Sequence, residues 1–238
     1  MLLTLNLYEN MDFIQLLLIL FVFVISLAAQ GWVRARYAKY KKIPISSNLT
    51  GAQVAQRILA KHGIDYIQLQ ENPSGGVLSD HFNPQTNVVN LSKDVYYGTS
   101  IASAAVAAHE IGHVIQYDTK FSFIGLRNRL LPLAITASQL GWIVLMIGLM
   151  SNIDALFLAG IIAIGVIGVF QLITLPIEFD ASKRAIAELQ EEHILTYSEV
   201  PQAKGMLNAA ALTYIAAFLG TIATILRLFL LRESRRRD

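Results

Sequence analysis

His109, Glu110 and His113 stand in the order His-Glu-Ile-Gly-His at the end of an alanine-rich stretch, Ile101 to Ala108, that reads as helix. At 3.6 residues per turn, histidines four apart lie one turn from each other on one face, so both imidazoles can reach a single tetrahedral Zn²⁺. Glu110 stands beside that pair rather than within it. A carboxylate so placed can hold a metal-bound water and take its proton, the general-base part of metal-assisted hydrolysis. The chain has no cysteine, so a zinc ion here must be held by histidine and carboxylate. Two histidines do not complete such a site, because a catalytic zinc takes three protein ligands and keeps one position open.

The pattern that supplies a third histidine six residues after the second is absent. Gln116 and Thr119 occupy the positions where Gly and His would stand, which excludes the metzincin arrangement. The arrangement that remains takes a glutamate from a second helix, and Glu178, within Leu175-Pro176-Ile177-Glu178-Phe179-Asp180-Ala181-Ser182, is the candidate. Pro176 suits a first helical turn, so a helix is expected to start there.

What must bring Glu178 to the motif is the membrane. The composition is 54% hydrophobic and only 15% charged, and four apolar runs approach or reach the length that spans a bilayer: Phe13–Ala29, Leu130–Met150, Ala155–Leu175 and Met206–Leu226. Glu9 and Asp12, with no Lys or Arg, precede the first run, which therefore reads as an uncleaved anchor rather than a signal peptide. Only Ser151 to Asp154 separate the second and third runs, so these form a hairpin that returns Glu178 to the side of the motif, although it lies 65 residues after His113. Lys and Arg number 11 in residues 31–129 and three in 176–205, against five from Arg227 onward and none in the amino tail. The excess places the motif on the cytoplasmic face of the cell membrane, with the basic carboxyl tail as a dissenting signal.

The resulting fold class is a mainly α integral membrane protein, with four transmembrane helices and a small α/β zinc-protease insert. Its expected divisions are 1–30 (tail and anchor), 31–129 (soluble insert with the motif helix), 130–175 (transmembrane hairpin), 176–205 (helix carrying Glu178) and 206–238 (fourth span and basic tail). Within the insert, Asn48 or Thr50 can cap a helix over Gly51–His62 that Gly63 ends. Strands are expected at Asp65–Gln70, Gly76–Phe82 and Asn87–Ser92, the last two joined by a turn at Asn83-Pro84-Gln85-Thr86. An exposed edge of that sheet can take an extended peptide by strand addition, and an ordinary supporting sheet fits as well. The motif helix is expected from Thr99 or Ser100 to Tyr117. Gly112 inside it costs roughly 1 kcal/mol relative to Ala, which implies that another backbone crosses there or that the helix contact is crowded.

His81, in the expected hairpin, reads as a solvated loop histidine with an oxyanion-donor role as the alternative. His62 and His193 read as surface residues. Asn48-Leu49-Thr50 and Asn90-Leu91-Ser92 fit a glycosylation pattern that would be silent on a cytoplasmic face. The Arg232–Arg237 cluster reads as an anchor to anionic lipid, and nothing in the chain marks a nucleic-acid partner.

His109 to His113 followed by Gln116, Pro176 to Ser182, Ser79-Asp80-His81-Phe82-Asn83-Pro84 and Asn90-Leu91-Ser92 together resemble the YugP-type membrane neutral zinc metallopeptidases. The resemblance covers most of residues 79–185 and the anchor layout. It implies a gluzincin-like peptidase with Zn²⁺ as cofactor, His109, His113 and Glu178 as ligands and Glu110 as base. The broader gluzincin plan has an Asp four residues after the ligand Glu. Here Ser182 holds that position, and Asp180 is expected on another side of the helix. The function expected is a zinc-dependent endopeptidase acting on a peptide or membrane protein at the membrane surface. A non-proteolytic membrane adaptor or quality-control factor with a structural metal site is the alternative, and a transporter is disfavoured because the spans carry no charged residue or histidine for an ion path.

Overall fold

A computed structural model describes residues 2–72, 76 and 79–235. Seven helices and three strands follow one another among them: α1 (Leu2–Tyr40), α2 (Gly51–Lys61), β1 (Gln68–Asn72), β2 (His81–Asn83), β3 (Val88–Ser92), α3 (Lys93–Tyr96), α4 (Ile101–Asp118), α5 (Ser122–Met150), α6 (Asp154–Glu191) and α7 (Val200–Arg235). Four helices are long and apolar enough to cross a membrane: Phe13–Tyr40, Ser122–Met150, Asp154–Glu191 and Val200–Ser234. Each contains one of the apolar runs and is longer than it, because adjoining polar residues (Arg34, Arg36 and Lys39 after the first run) are good helix formers.

Two compact units divide the chain. The first comprises residues 1–30, 126–175 and 213–238. The turn at residues 151–153 joins α5 to α6 with Asn152 at φ +54°, and its Ile153 N–H donates to the Gly148 carbonyl. A Cβ on Gly148 would lie 2.2 Å from the Phe157 nitrogen, so glycine is what lets the two helices of this hairpin touch backbone to backbone. Leu145, Leu149, Phe157, Ile161, Ile164 and Leu228 pack around that contact. The Arg232 guanidinium pairs with Asp154 and stacks 5.1 Å from the Phe157 ring centroid. Apolar side chains elsewhere in these helices face outward, Phe23 and Ile143 among them, as lipid-facing positions require. Arg236 and Arg237 of the basic cluster lie outside the described residues.

The second unit comprises residues 31–125 and 176–212 and holds the motif. Its core joins α2, α4, the sheet and the ends of the longer helices through Val54, Ile58, Val89, Leu91, Ala104, Ala105, Ile111, Ala185, Leu189 and Leu207, all buried. Tyr37 and Tyr40 of α1 belong to the same core. The sheet has order β1-β3-β2. β3 is central and almost wholly buried; it pairs antiparallel with β2, in the hairpin expected, and parallel with β1 (Gln68 opposite Val88 through Asn72 opposite Ser92). β1 starts three residues later than the alternation indicated. Of the expected strand at 76–82, only its end falls in β2; Val77 and Leu78 lie outside the described residues.

Helix starts follow their caps. Thr50 accepts from the Gln53 N–H at 3.2 Å while the Gln53 side chain accepts from the Thr50 N–H at 2.9 Å, a reciprocal capping box, and Gly63 leaves the helix at φ +65°. Ser100 caps α4 through the Ser103 N–H at 3.1 Å. One expectation fails: no helix begins at Pro176. α6 runs unbroken from Asp154 to Glu191 with Pro176 inside it. The ring removes one N–H from the ladder, a loss that a long helix with strong flanking segments absorbs.

Candidate metal centre

α4 and α6 meet at Gly112. A Cβ built there would lie 2.6 Å from the Ala181 carbonyl oxygen and 3.2 Å from the Ala181 Cα, so only the missing side chain permits this approach of backbones. The crossing brings the chemistry together, since His109 and His113 flank Gly112 on α4 while Glu178 and Ser182 flank Ala181 on α6. The two imidazoles pack edge to face with centroids 4.7 Å apart and planes at 83°. Glu178 Oε2 lies 3.4 Å from His109 Nε2 and 3.8 Å from His113 Nε2. One donor atom from each of the three residues falls within 4.8 Å of the others, the group among the described residues that can hold a metal ion. A tetrahedral ion with bonds of about 2.0–2.2 Å needs ligand atoms roughly 3.3–3.6 Å apart, close to the 3.4 and 3.8 Å that separate Glu178 Oε2 from the two histidine nitrogens, so the donor set suits zinc. Burial works against a charge on His109, but the bond to Glu178 and the negative charges of Glu110 and Glu178 outweigh it and raise its pKa.

Each ligand-type histidine is held from behind. His109 Nδ1 lies 3.2 Å from the hydroxyl of Ser182, which stands behind this ring at the position where the broader plan has a carboxylate. His113 Nδ1 lies 3.0 Å from Gln116 Oε1, and the Gln116 amide in turn donates to the Ile177 carbonyl at 2.7 Å and to Asp180 Oδ2 at 2.9 Å. Asp180 also accepts from Arg184 Nε at 2.6 Å. Asp180 thus faces α4 through Gln116. The sequence reading, which had Asp180 directed elsewhere, missed this role; the signal for it was the spacing of Gln116, three residues after His113 and so on the same helix face.

Glu110 is 7% exposed and lies on the other flank of the motif. Burial pushes its carboxyl up to about 7; His109 opposes the shift, while the charges of Asp80 and Glu178 add to it, and the Phe82 N–H from β2 binds the charged form. That value suits proton transfer near neutral pH. Asp80 is itself fixed by the Ser92 N–H at 2.6 Å and the Ser92 hydroxyl at 3.3 Å, and burial raises its pKa as well. Its influence on Glu110 was not foreseen from the sequence.

His81 is not in the cluster. It is exposed on β2, with Nδ1 2.9 Å from the Ser79 carbonyl and Nε2 3.2 Å from the Asn90 amide. His62 is a surface residue paired with Glu188 at 2.8 Å, and His193 is exposed at the end of α6 with φ +51°.

Comparison with known proteins agrees with this chemistry. A family described as "Putative neutral zinc metallopeptidase" matches residues 15–233. The chain belongs to this family. It is also 36% identical over 215 residues to "Putative membrane protease YugP" of Bacillus subtilis (strain 168), an alignment covering 89% of this chain and 95% of that relative. No solved structure matches the chain significantly. As a member of the neutral zinc metallopeptidases it is a hydrolase with Zn²⁺ as cofactor, and its four apolar helices make it a multi-pass membrane protein. His109, His113 and Glu178 all fall inside the matched region.

Proposed function

We propose that the protein is an integral-membrane zinc endopeptidase of gluzincin-like plan that cleaves peptide or membrane-protein substrates at the membrane surface. The observation that carries the proposal is the convergence of His109, His113 and Glu178 beside a buried carboxyl, Glu110, held up to about 7. His109, His113 and Glu178 are assigned as the ligands and Glu110 as the general base. Zinc held by them supplies a Lewis acid that polarises the scissile carbonyl and acidifies water. Glu110 accepts the proton as the water oxygen bonds to the carbonyl carbon, then delivers it to the amine nitrogen as the C–N bond breaks. Ser182 and Gln116 keep the two rings directed at the ion. The excess of Lys and Arg in residues 31–129 and 176–205, the segments that carry these side chains, supports a cytoplasmic placement.

Glu110→Gln in the full-length protein, in detergent or nanodiscs, tests the mechanism. It should keep one zinc per chain and lose cleavage of casein or a membrane-protein substrate by at least about 100-fold. Cleavage at the wild-type rate would refute Glu110 as base.

A further inference from the structure

We infer that Gln116 is a positioning residue that links His113 to the Asp180 carboxylate through its amide and fixes His113 with its Nε2 lone pair directed at the ligand cluster. The inference rests on the metal-site reading above. The orientation of the amide follows from its partners. The Ile177 carbonyl and Asp180 Oδ2, 2.7 and 2.9 Å from Gln116 Nε2, are both acceptors, so the –NH₂ must face them. Oε1 then faces His113 Nδ1 at 3.0 Å as an acceptor, and the imidazole must donate from Nδ1. The proton is therefore on the nitrogen remote from Glu178, and Nε2, 3.8 Å from Glu178 Oε2, is the nitrogen that faces the ligand cluster.

Gln116 is completely buried, so water has no access to Nδ1 from that side. The far end is anchored in turn, because Asp180 also accepts from Arg184 Nε, and the Arg184 guanidinium lies 5.9 Å from the Phe121 ring centroid. The two rings are thus held differently: His109 by a hydroxyl and His113 by an amide whose other end carries a paired carboxylate. Gln116 also joins α4 to α6 one turn from the Gly112 crossing, so it sets the ring and the distance to Glu178 together.

A substitution cycle in the full-length protein, read by zinc affinity in chelator competition, separates this role from simple helix bonding. Gln116→Met keeps the length and removes the acceptor; it should weaken zinc binding about 10–100-fold. Asp180→Asn should weaken binding in the wild-type background and have no further effect after Gln116→Met, because the relay is already cut. The double variant Gln116→Glu with Asp180→Asn keeps an acceptor for His113 Nδ1 and puts a donor at the far end of the relay, but takes the donor from the Ile177 carbonyl; it should bind zinc more tightly than Gln116→Met without reaching the wild-type level. Melting of the zinc-free variants identifies any that fail to fold, in which case the double variant alone decides. Affinity of Gln116→Met within twofold of wild type, an undiminished effect of Asp180→Asn in both backgrounds, or a double variant that binds no zinc or binds it no more tightly than Gln116→Met overturns the inference. Wild-type protein that binds no zinc would overturn the site itself; wild-type binding with an insensitive Gln116 overturns only this role.

Discussion

Gly112→Ala adds a single methyl group at the point where α4 and α6 touch. Two effects compete. Alanine favours helix over glycine by roughly 1 kcal/mol. Against that, the new Cβ would sit 2.6 Å from the Ala181 carbonyl oxygen, 3.2 Å from its carbonyl carbon and 3.2 Å from its Cα, all backbone atoms with no rotamer to change. Restoring ordinary van der Waals separation moves the helices apart by about 0.8 Å at this point, and such overpacking costs about 1–3 kcal/mol. The net loss of stability is therefore about 0–2 kcal/mol, and the variant folds. The site responds more strongly. Glu178 lies three residues before Ala181 on α6, so the same displacement acts on its 3.4 Å separation from His109 Nε2. Misplacement of about 1 Å at a catalytic centre costs on the order of 100-fold. Gly112→Ala should lower cleavage and zinc affinity by about 10–100-fold while the melting temperature of the zinc-free protein falls by only a few degrees. Cleavage and zinc affinity both within twofold of wild type would refute the claim that this backbone contact sets the ligand geometry.

Asp80 raises the pKa of Glu110, so Asp80→Asn should move the acidic limb of the kcat/KM profile to lower pH; an unmoved or upward-shifted limb contradicts the coupling. The pKa of Asp80 is itself raised on folding, so its protonated form is the one the fold favours, and stability is lost as pH rises through the folded-state pKa. Asp80→Asn, which still accepts from the Ser92 N–H, should accordingly raise the melting temperature at neutral pH. For Glu199, burial acts upward, but the N–H groups of Thr196 and Ser46 and the Ser46 hydroxyl, 2.7–2.8 Å away, lower its pKa overall. Its stabilisation is present above the unfolded pKa of about 4.3 and disappears as pH falls through the lower folded value, so Glu199→Gln should flatten the acid side of the stability curve. Glu178→Ala should leave zinc binding at least 10-fold weaker and cleavage undetectable, while chelator-treated wild type should regain activity when zinc is returned; zinc binding unchanged in Glu178→Ala would remove this residue from the ligand set.

The sequence was most legible where one short interaction decides the outcome. The starts of α4 and α2 were legible to within two residues, Thr99 or Ser100 and Asn48 or Thr50, and Ser100 and Thr50 are the caps, because a cap needs only its own side chain and an N–H three residues on. The convergence of Glu178 with the two histidines could be read because the short 151–154 connection leaves the following helix little choice of direction. Gly112 announced a close crossing through its energetic cost, although the identity of its neighbour, Ala181, could not be known. The continuity of α6 was hidden because proline is judged by the hydrogen bond it removes, and the 38 residues that carry the helix past it are not local to Pro176. The roles of Gln116 and Asp180 were hidden for another reason: their bond connects residues 64 apart and depends on the angle at which two helices cross. The parallel pairing of β1 with β3 is likewise a tertiary fact that alternation in either strand cannot reveal.

Ala102, Ala104, Ala105, Ala107 and Ala108 are all at most 1% exposed, and they cover most of the surface of α4 in the two turns before His109, with buried Ser103 and Val106 completing it. Such a segment has almost no side-chain volume to trade, because what touches its neighbours is nearly bare backbone. A core of large residues tolerates exchange by letting one side chain shrink as another grows. Here the smallest chiral residue is already in place, so variation is blocked upward by collision and downward by the helix-breaking cost of glycine. This stretch should therefore drift more slowly than the ordinary hydrophobic core around it, and its immobility, rather than any contact with substrate, would keep the histidines in register over long evolutionary times.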